Sequence, residues 1–403
     1  IRAQPKDCGV FPRYVNELPD IDPELLLTRG ANHCKRTPVR SGDPEADAEL
    51  KKLVDKVFIK KFATLEEVRN YLGEDPVVSN LVWIEKKGKR GRRMIVNLKR
   101  SGVSSASRKT ERVLLPRTLD SVWDLLELLL KRTSTSGSSL RIDALVIDFA
   151  DAFWQIPLGE LERKFAVFEY DGAYYVFQRA PQGSRGAPLL WARTVALACR
   201  LAVALCPEDE VRLNCYVDDP ELLLLGTAEQ NEKNAVVVLI AWMAMGFRLA
   251  FYKASWTDEG GFSTWTSSRK CVNGDRVIAE IKTEITDKVR EEIQGFLSKN
   301  VIAIDDLRAC LGRCVCVAGL IHVWRPFVGM MWAPLHQPNT QGGAPPNCLW
   351  RASIDIPLRW CLAFLNGEAG TLRREFTLTA YTGADAEVLV QIDASLGPGR
   401  RPL

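Results

Sequence analysis

Three aspartates stand where charge is costly to leave uncompensated. The β-branched and apolar run at residues 140–147 ends on Asp148, and Asp218-Asp219 lie between the short apolar runs at 211–216 and 222–225. Burial disfavours an ionised carboxylate, and two carboxylates in succession repel each other. A divalent cation with hard oxygen ligands offsets both effects. Asp148 and Asp218 can meet if their strands are neighbours in one sheet, and such a site keeps coordination positions open for phosphate oxygens. Two ions held this way act on the attacking and leaving oxygens of phosphoryl transfer. Taken alone, paired acids at a turn are more often solvated than liganded.

Strands must carry these acids, and the patterning provides for them. Residues 77–85 and 92–98 alternate or run apolar around Gly88 and Gly91, which predicts a strand, a basic turn and a returning strand. Residues 165–168 and 173–177, joined by Asp171-Gly172, form the clearest hairpin in the chain. Ser41, Asp43 and Pro44 signal the start of a helix running to about Phe62, with Leu50, Leu53, Val54, Val57 and Phe58 on one face. Further helices are expected over 120–131, 187–206, 229–245, 286–299 and 305–332, whereas residues 1–42 show no sustained period. The order strand, hairpin, helix, strand hairpin, helix implies an α+β plan of the split βαβ kind, with helices on one face of a sheet. After Gly261 the chain is expected to be mainly helical.

A chain of 403 residues exceeds one ordinary core, so two to four packed units are expected. Hydrophobic residues at 46% and charged residues at 26% exclude wholesale disorder. The net charge of +4 is unevenly placed: residues 86–110 hold ten bases and no acid, so the remainder is net acidic. That stretch beside Trp83 is either an electrostatic footprint for nucleic acid or nucleotide phosphate, or a solvated loop. Eleven cysteines without paired spacing fit a reducing compartment, and Cys310, Cys314 and Cys316 read as buried thiols in an apolar helix rather than a zinc site. The longest clean apolar run, 235–247, is short of the ~20 residues a membrane span needs. The chain starts at Ile1 with no signal-peptide pattern, so an intracellular protein (cytoplasm or nucleus) beginning at a fragment boundary is expected.

Val146-Ile147-Asp148-Phe149-Ala150-Asp151-Ala152-Phe153, then Ala180-Pro181-Gln182-Gly183, then Tyr216-Val217-Asp218-Asp219, resemble in order and spacing the polymerase motifs of reverse transcriptases of retroviruses and retrotransposons. Each motif is short, and the specificity lies in their ordered combination. The likeness extends upstream through residues 86–100, similar to the fingers motif that grips triphosphate. Downstream it passes Gly246-Phe247 and Lys253 to the helical stretch near 311–332, so that it covers roughly residues 75 to 335.

The resemblance implies a right-hand polymerase with a lead-in and helix at 1–75, fingers at 76–140, a palm at 141–265 with a split βαβ antiparallel sheet, a helical thumb and connection at 266–375, and at 376–403 the start of a truncated ribonuclease H-like domain. It implies RNA-directed DNA synthesis from deoxynucleoside triphosphates on a nucleic-acid primer, with an RNA or DNA template and no membrane. Two Mg²⁺ ions, or Mn²⁺ in their place, would be bound by Asp148, Asp218 and Asp219. Lys253 is a looser match for protonating the leaving pyrophosphate. Lys86 and Arg93 would grip phosphate, Asp151 would lie against the triphosphate, Phe153 would exclude a 2′-hydroxyl and Gln182 would pack near the incoming nucleotide. Phe153, Gln182 and Tyr216 have plainer readings as a core aromatic, a surface turn residue and a packed strand residue. Pro220 departs from the aliphatic residue usual after the Asp pair, and suggests an edge or irregular position. At 388–395 the sequence looks like a first ribonuclease H strand with Asp393 as its first carboxylate. An alternative reading is a decayed or domesticated element protein that keeps the fold as a nucleic-acid-binding module.

Overall fold

Asp43 caps the first helix, Pro44–Asp55, by accepting from the Glu45 and Ala46 amides. The computed structural model describes residues 26, 42–85, 92–107, 115–135, 139–336 and 343–384, with residues 83, 85, 92 and 93 described by backbone alone. The helix was expected to reach about Phe62 and instead ends at Lys56. Val57 takes a left-handed φ of 58°, its N–H bonds Val54 O, and the Phe58 N–H bonds Leu53 O at 2.9 Å, a Schellman closure built without glycine. Phe58 and Ile59 are thereby freed to enter a sheet core.

The strands, in chain order, are β1 Ile59–Phe62, β2 Val78–Glu85, β3 Arg92–Asn97, β4 Arg141–Val146, β5 Val167–Tyr170, β6 Ala173–Phe177, β7 Val211–Tyr216, β8 Asp219–Gly226 and β9 Ser255–Thr257. They continue with β10 Ser263–Trp265, β11 Ser268–Asn273, β12 Arg276–Ile281, β13 Val301–Ala303, β14 Cys348–Trp350 and β15 Arg373–Thr377. Two compact units divide the chain, one drawn from Ile1–Arg117, Leu145–Leu224 and Ala228–Trp256, the other from Thr118–Ala144, Leu225–Thr227 and Thr257–Leu403.

In the first unit a five-stranded sheet has the order β1-β6-β5-β2-β3. The expected β2–β3 and β5–β6 hairpins are both present, and Asp171 and Gly172 turn the second with φ of 51° and 72°, as a two-residue type I′ turn requires. Phe58, Trp154 and Phe177 stack in its core, with centroids 5.1 and 5.6 Å apart. A second sheet has the order β7-β8-β4-β9. The helices Ala187–Val203 and Ala228–Ala244 cover it, with Trp191 and Trp242 fully buried around Phe149. Pro220 lies in β8, an inner strand, not at an edge: its carbonyl accepts from Ile147 at 3.2 Å, and only the reciprocal N–H bond is lost.

In the second unit the mainly helical expectation fails at its start. Strands β10, β11, β12 and β15 form a four-stranded antiparallel sheet, and Gly274, φ 64°, turns β11 into β12. The helix Thr118–Ser134 packs on it, and the buried Lys270 ammonium is held by Ser121 Oγ at 2.6 Å and by the Trp265 ring. The expected helix over 305–332 is two, Ile304–Leu320 and Arg325–His336, broken where Ile321 leaves helical geometry and Arg374 takes the Leu320 carbonyl. Cys310 and Cys314 are buried, their sulfurs 3.9 Å apart, while Cys316 is exposed. No group of metal-binding side chains forms there or elsewhere among the described residues. Among them, too, no helix is long and apolar enough to cross a membrane. Lys86, most of the basic stretch's tip, residues 1–25 and Asp393 with its expected strand lie outside the described residues.

Candidate active site

Alternation along the strand that continues from β4 decides where Asp148 points. Ile147 and Phe149 are each 1% exposed in the core, so Asp148 between them faces the opposite side. The Phe149 N–H donates to Asp218 O at 2.8 Å, and on the other flank Ala250 N–H donates to Asp148 O and Ala150 N–H to Arg248 O, both at 2.8 Å. Asp148 therefore sits on a backbone segment flanked by the Asp218 turn on one side and residues 248–250 on the other.

The Asp pair is delivered by a two-residue turn in which Tyr216 pairs with Asp219. Val217, first in the turn, has φ 60°, a conformation unfavourable for a β-branched residue. Its carbonyl accepts from the buried Trp191 indole at 2.6 Å, which ties the turn to the helix beneath. The Cys215 thiol, which also reaches Val217 O, is pushed far up by its hydrogen bond to Cys199 and by burial, so it is no nucleophile.

Residues 248–250 lead into the single turn Phe251–Lys253, and the Lys253 ammonium pairs with Asp148 Oδ2. The hydrogen bond to Asp148 holds the ammonium above the ordinary lysine range against a smaller effect of burial; the charges of Asp148 and Asp218 act in the same direction. Asp148 and the Asp218-Asp219 turn bonded to its strand offer hard carboxylate oxygens of the kind Mg²⁺ or Mn²⁺ takes, while the Lys253 ammonium occupies Asp148 Oδ2. Among the described residues no three such side chains converge as a metal-binding group.

Asp151 follows with a left-handed φ of 55° and starts the 3₁₀ turn Ala152–Gln155, on which Phe153 is half-buried against the cluster around Trp191. Its carboxylate is paired with Lys56 Nζ at 2.6 Å. Gln182 lies elsewhere, lining a small cavity with Met94, Val96, Trp154 and Phe177; Gly183, φ 96°, abuts β3 so closely that a Cβ would be 3.1 Å from Ile95. The Arg93 backbone, in β3, pairs with Ile84 in β2. The structure thus joins the backbone segments of Asp148, Asp218 and Lys253, pairs Lys253 with Asp148, sets Asp151 and Phe153 on the adjoining turn, and seats Gln182 against the five-stranded sheet. Lys56 and Trp191 were not anticipated; neither carries a local signal, since each acts across a long sequence separation.

Residues 84–262 match the family described as reverse transcriptase (RNA-dependent DNA polymerase). No curated protein matches the chain. Among solved structures it is similar to the foamy viral protease-reverse transcriptase dRH in complex with ds DNA, at 16% identity and a TM-score of 0.56, covering 89% of this chain and 55% of that one. It is likewise similar to the foamy viral protease-reverse transcriptase in complex with RNA/DNA hybrid, at 15% identity and TM-score 0.52, covering 89% of this chain and 42% of that one. The chain thus spans about half the length of the solved structures it resembles. Residues 84–262 thus match the reverse transcriptase family, and the chain has the right-hand polymerase fold of the structures it resembles.

Proposed function

We propose that this chain is an RNA-directed DNA polymerase of a retroelement, extending a primer on an RNA template from deoxynucleoside triphosphates. The observation that carries the reading is the Asp148 segment, hydrogen-bonded to the Asp218 turn on one flank and to the segment bearing Lys253 on the other. Residues 76–140 would serve as fingers, 141–265 as palm and 266–375 as thumb and connection. Work on such a template and primer belongs in the cytoplasm or nucleus.

Asp148, Asp218 and Asp219 would hold two Mg²⁺ ions, which when bound supply charge stabilisation to the attacking and leaving oxygens. The primer 3′-hydroxyl oxygen, its proton passing to solvent water, would bond to the α-phosphorus while the bond from that phosphorus to the bridging oxygen breaks, and pyrophosphate leaves. Lys253, kept charged by Asp148, would give a proton to that leaving oxygen. Lys86 and Arg93 would grip the phosphates, Arg93 in two-pronged fashion, and Asp151 would adjoin them. The Phe153 ring would close the space a 2′-hydroxyl needs, and Gln182 would border the incoming nucleotide. Primer extension on RNA and DNA templates, with deoxy- or ribonucleotides and with or without Mg²⁺, tests this. Metal-dependent DNA synthesis on RNA is expected; template binding without extension would assign the chain instead to a nucleic-acid-binding module.

A further inference from the structure

The backbone ladder between residues 148–150 and 248–250 stops where the chain turns away at Asp151. At its last pair the Ala150 N–H reaches Arg248 O at 2.8 Å, and a side chain stands where the return bond from the Arg248 N–H to Ala150 O would be. Gln155 Oε1 accepts from the Arg248 N–H at 2.9 Å. The same amide's Nε2 donates to Ala150 O at 2.6 Å and to Arg248 O at 3.1 Å. One primary amide thus bridges the Arg248 N–H and the Ala150 carbonyl, completing the last pair of the ladder through a side chain.

We propose that Gln155 is a positioning residue, a clamp whose side-chain amide fixes the Lys253 segment against the turn that carries Asp148, Asp151 and Phe153. Both halves of the constellation pass through it. Arg248 leads through Ala250, whose carbonyl holds the Lys253 N–H at 2.9 Å, to the Lys253 ammonium on Asp148. Ala150 leads to Asp151, and the 3₁₀ turn that presents Phe153 ends on Gln155 itself. The 248–253 segment is otherwise supported by two backbone bonds on the Asp148 side, the Lys253–Asp148 ion pair, the buried Ala250 and apolar packing of Phe247 and Leu249. Arg248, Phe251 and Tyr252 are exposed, and Arg248 contributes only its guanidinium face to the Phe58 ring, 5.0 Å away. An apolar side chain at 155 would therefore leave the segment attached but loose.

The clamp's role in chemistry rests on the polymerase reading; its existence does not, so two measurements separate them. Backbone amide exchange in the free protein reads the clamp alone. In Gln155→Leu and Gln155→Met the Arg248 amide should exchange about tenfold faster or more, with Ala250 and Lys253 following, while the β5–β6 amides stay as in the parent. Steady-state primer extension reads the consequence. A misplaced proton donor should lower kcat by about tenfold or more while nucleotide KM moves less than about twofold. Gln155→Glu keeps the acceptor for Arg248 but sets a carboxylate oxygen against two carbonyls, so it should retain Arg248 protection better than Leu and still lose kcat. Unchanged exchange at Arg248 in the Leu and Met variants overturns the clamp. Faster exchange with parent kcat, or a loss confined to KM, overturns the positioning role. A parent that extends no primer refutes the polymerase reading and with it that role, while the exchange data still decide the clamp.

Discussion

Trp191 and Trp242 allow one hydrogen bond to be weighed. Both are fully buried, and both rings meet Phe149 edge-on, at 5.5 and 5.0 Å. They differ at nitrogen: Trp191 Nε1 donates to Val217 O at 2.6 Å, whereas Trp242 Nε1 is buried with no hydrogen-bond partner among the described residues. Substituting phenylalanine removes similar ring volume from each, at a cost on the order of 1 kcal/mol for the space left behind. At 191 it also strips the stronger donor from a carbonyl in a strained turn, leaving it only the weak Cys215 thiol and adding ~1–3 kcal/mol; at 242 it removes an unpaired donor whose burial was itself unfavourable. Trp191→Phe should therefore lower unfolding free energy by ~2–4 kcal/mol, and Trp242→Phe by ~1 kcal/mol or less. Urea unfolding followed by circular dichroism, with equal m-values, measures both. Because the bond restrains the turn bearing Asp218, Trp191→Phe should also reduce kcat for nucleotide insertion, and Trp242→Phe should not. Equal losses of stability in the two variants would refute the assignment of the turn's anchor to the indole N–H.

Asp218→Asn, isosteric but neutral, should cut incorporation by ~10²-fold or more while template binding persists, since several kcal/mol of charge stabilisation depend on the ligand; near-parent extension in single-turnover assays would remove Asp218 from the site. Phe153→Val should raise the ribo- to deoxynucleotide ratio of kcat/KM by about tenfold or more, because the variant opens volume without adding an attraction. An unchanged ratio in matched single-nucleotide insertions would make Phe153 a core aromatic only. Gly183→Ala should destabilise by more than ~1 kcal/mol, since its φ of 96° and a Cβ 3.1 Å from Ile95 Cγ2 offer an alanine no relief; thermal unfolding checks this.

What the sequence disclosed and what it hid divide along one physical line. Features set by neighbours in the chain were legible. The period of two around Phe149 places Asp148 opposite the core, Asp171-Gly172 makes its turn from two residues that tolerate positive φ, and the acids at 218–219 fall where two apolar runs meet. Missed features depend on partners far away. Helix Pro44–Asp55 stops without a glycine because Phe58 and Ile59 gain more from the five-stranded core than from another helical turn. Pro220 enters an inner strand because its carbonyl, not its absent N–H, is what Ile147 requires. One omission had a local signal: Gly274-Asp275, a glycine-first pair between strand-like runs, is a hairpin mark, and it turns β11 into β12 where a helix-rich segment was expected. Lys56 and Gln155 had none, for a lysine at a helix end and a glutamine in an aromatic run have ordinary uses at the surface. Their assignment needs Asp151 95 residues from Lys56 and Arg248 93 residues from Gln155 in chain separation, each brought to hydrogen-bond distance only by the fold. The chemical groups of the candidate site are therefore written in short motifs, while the residues that hold those groups in register are scattered among positions whose identity looks arbitrary until the strands are paired.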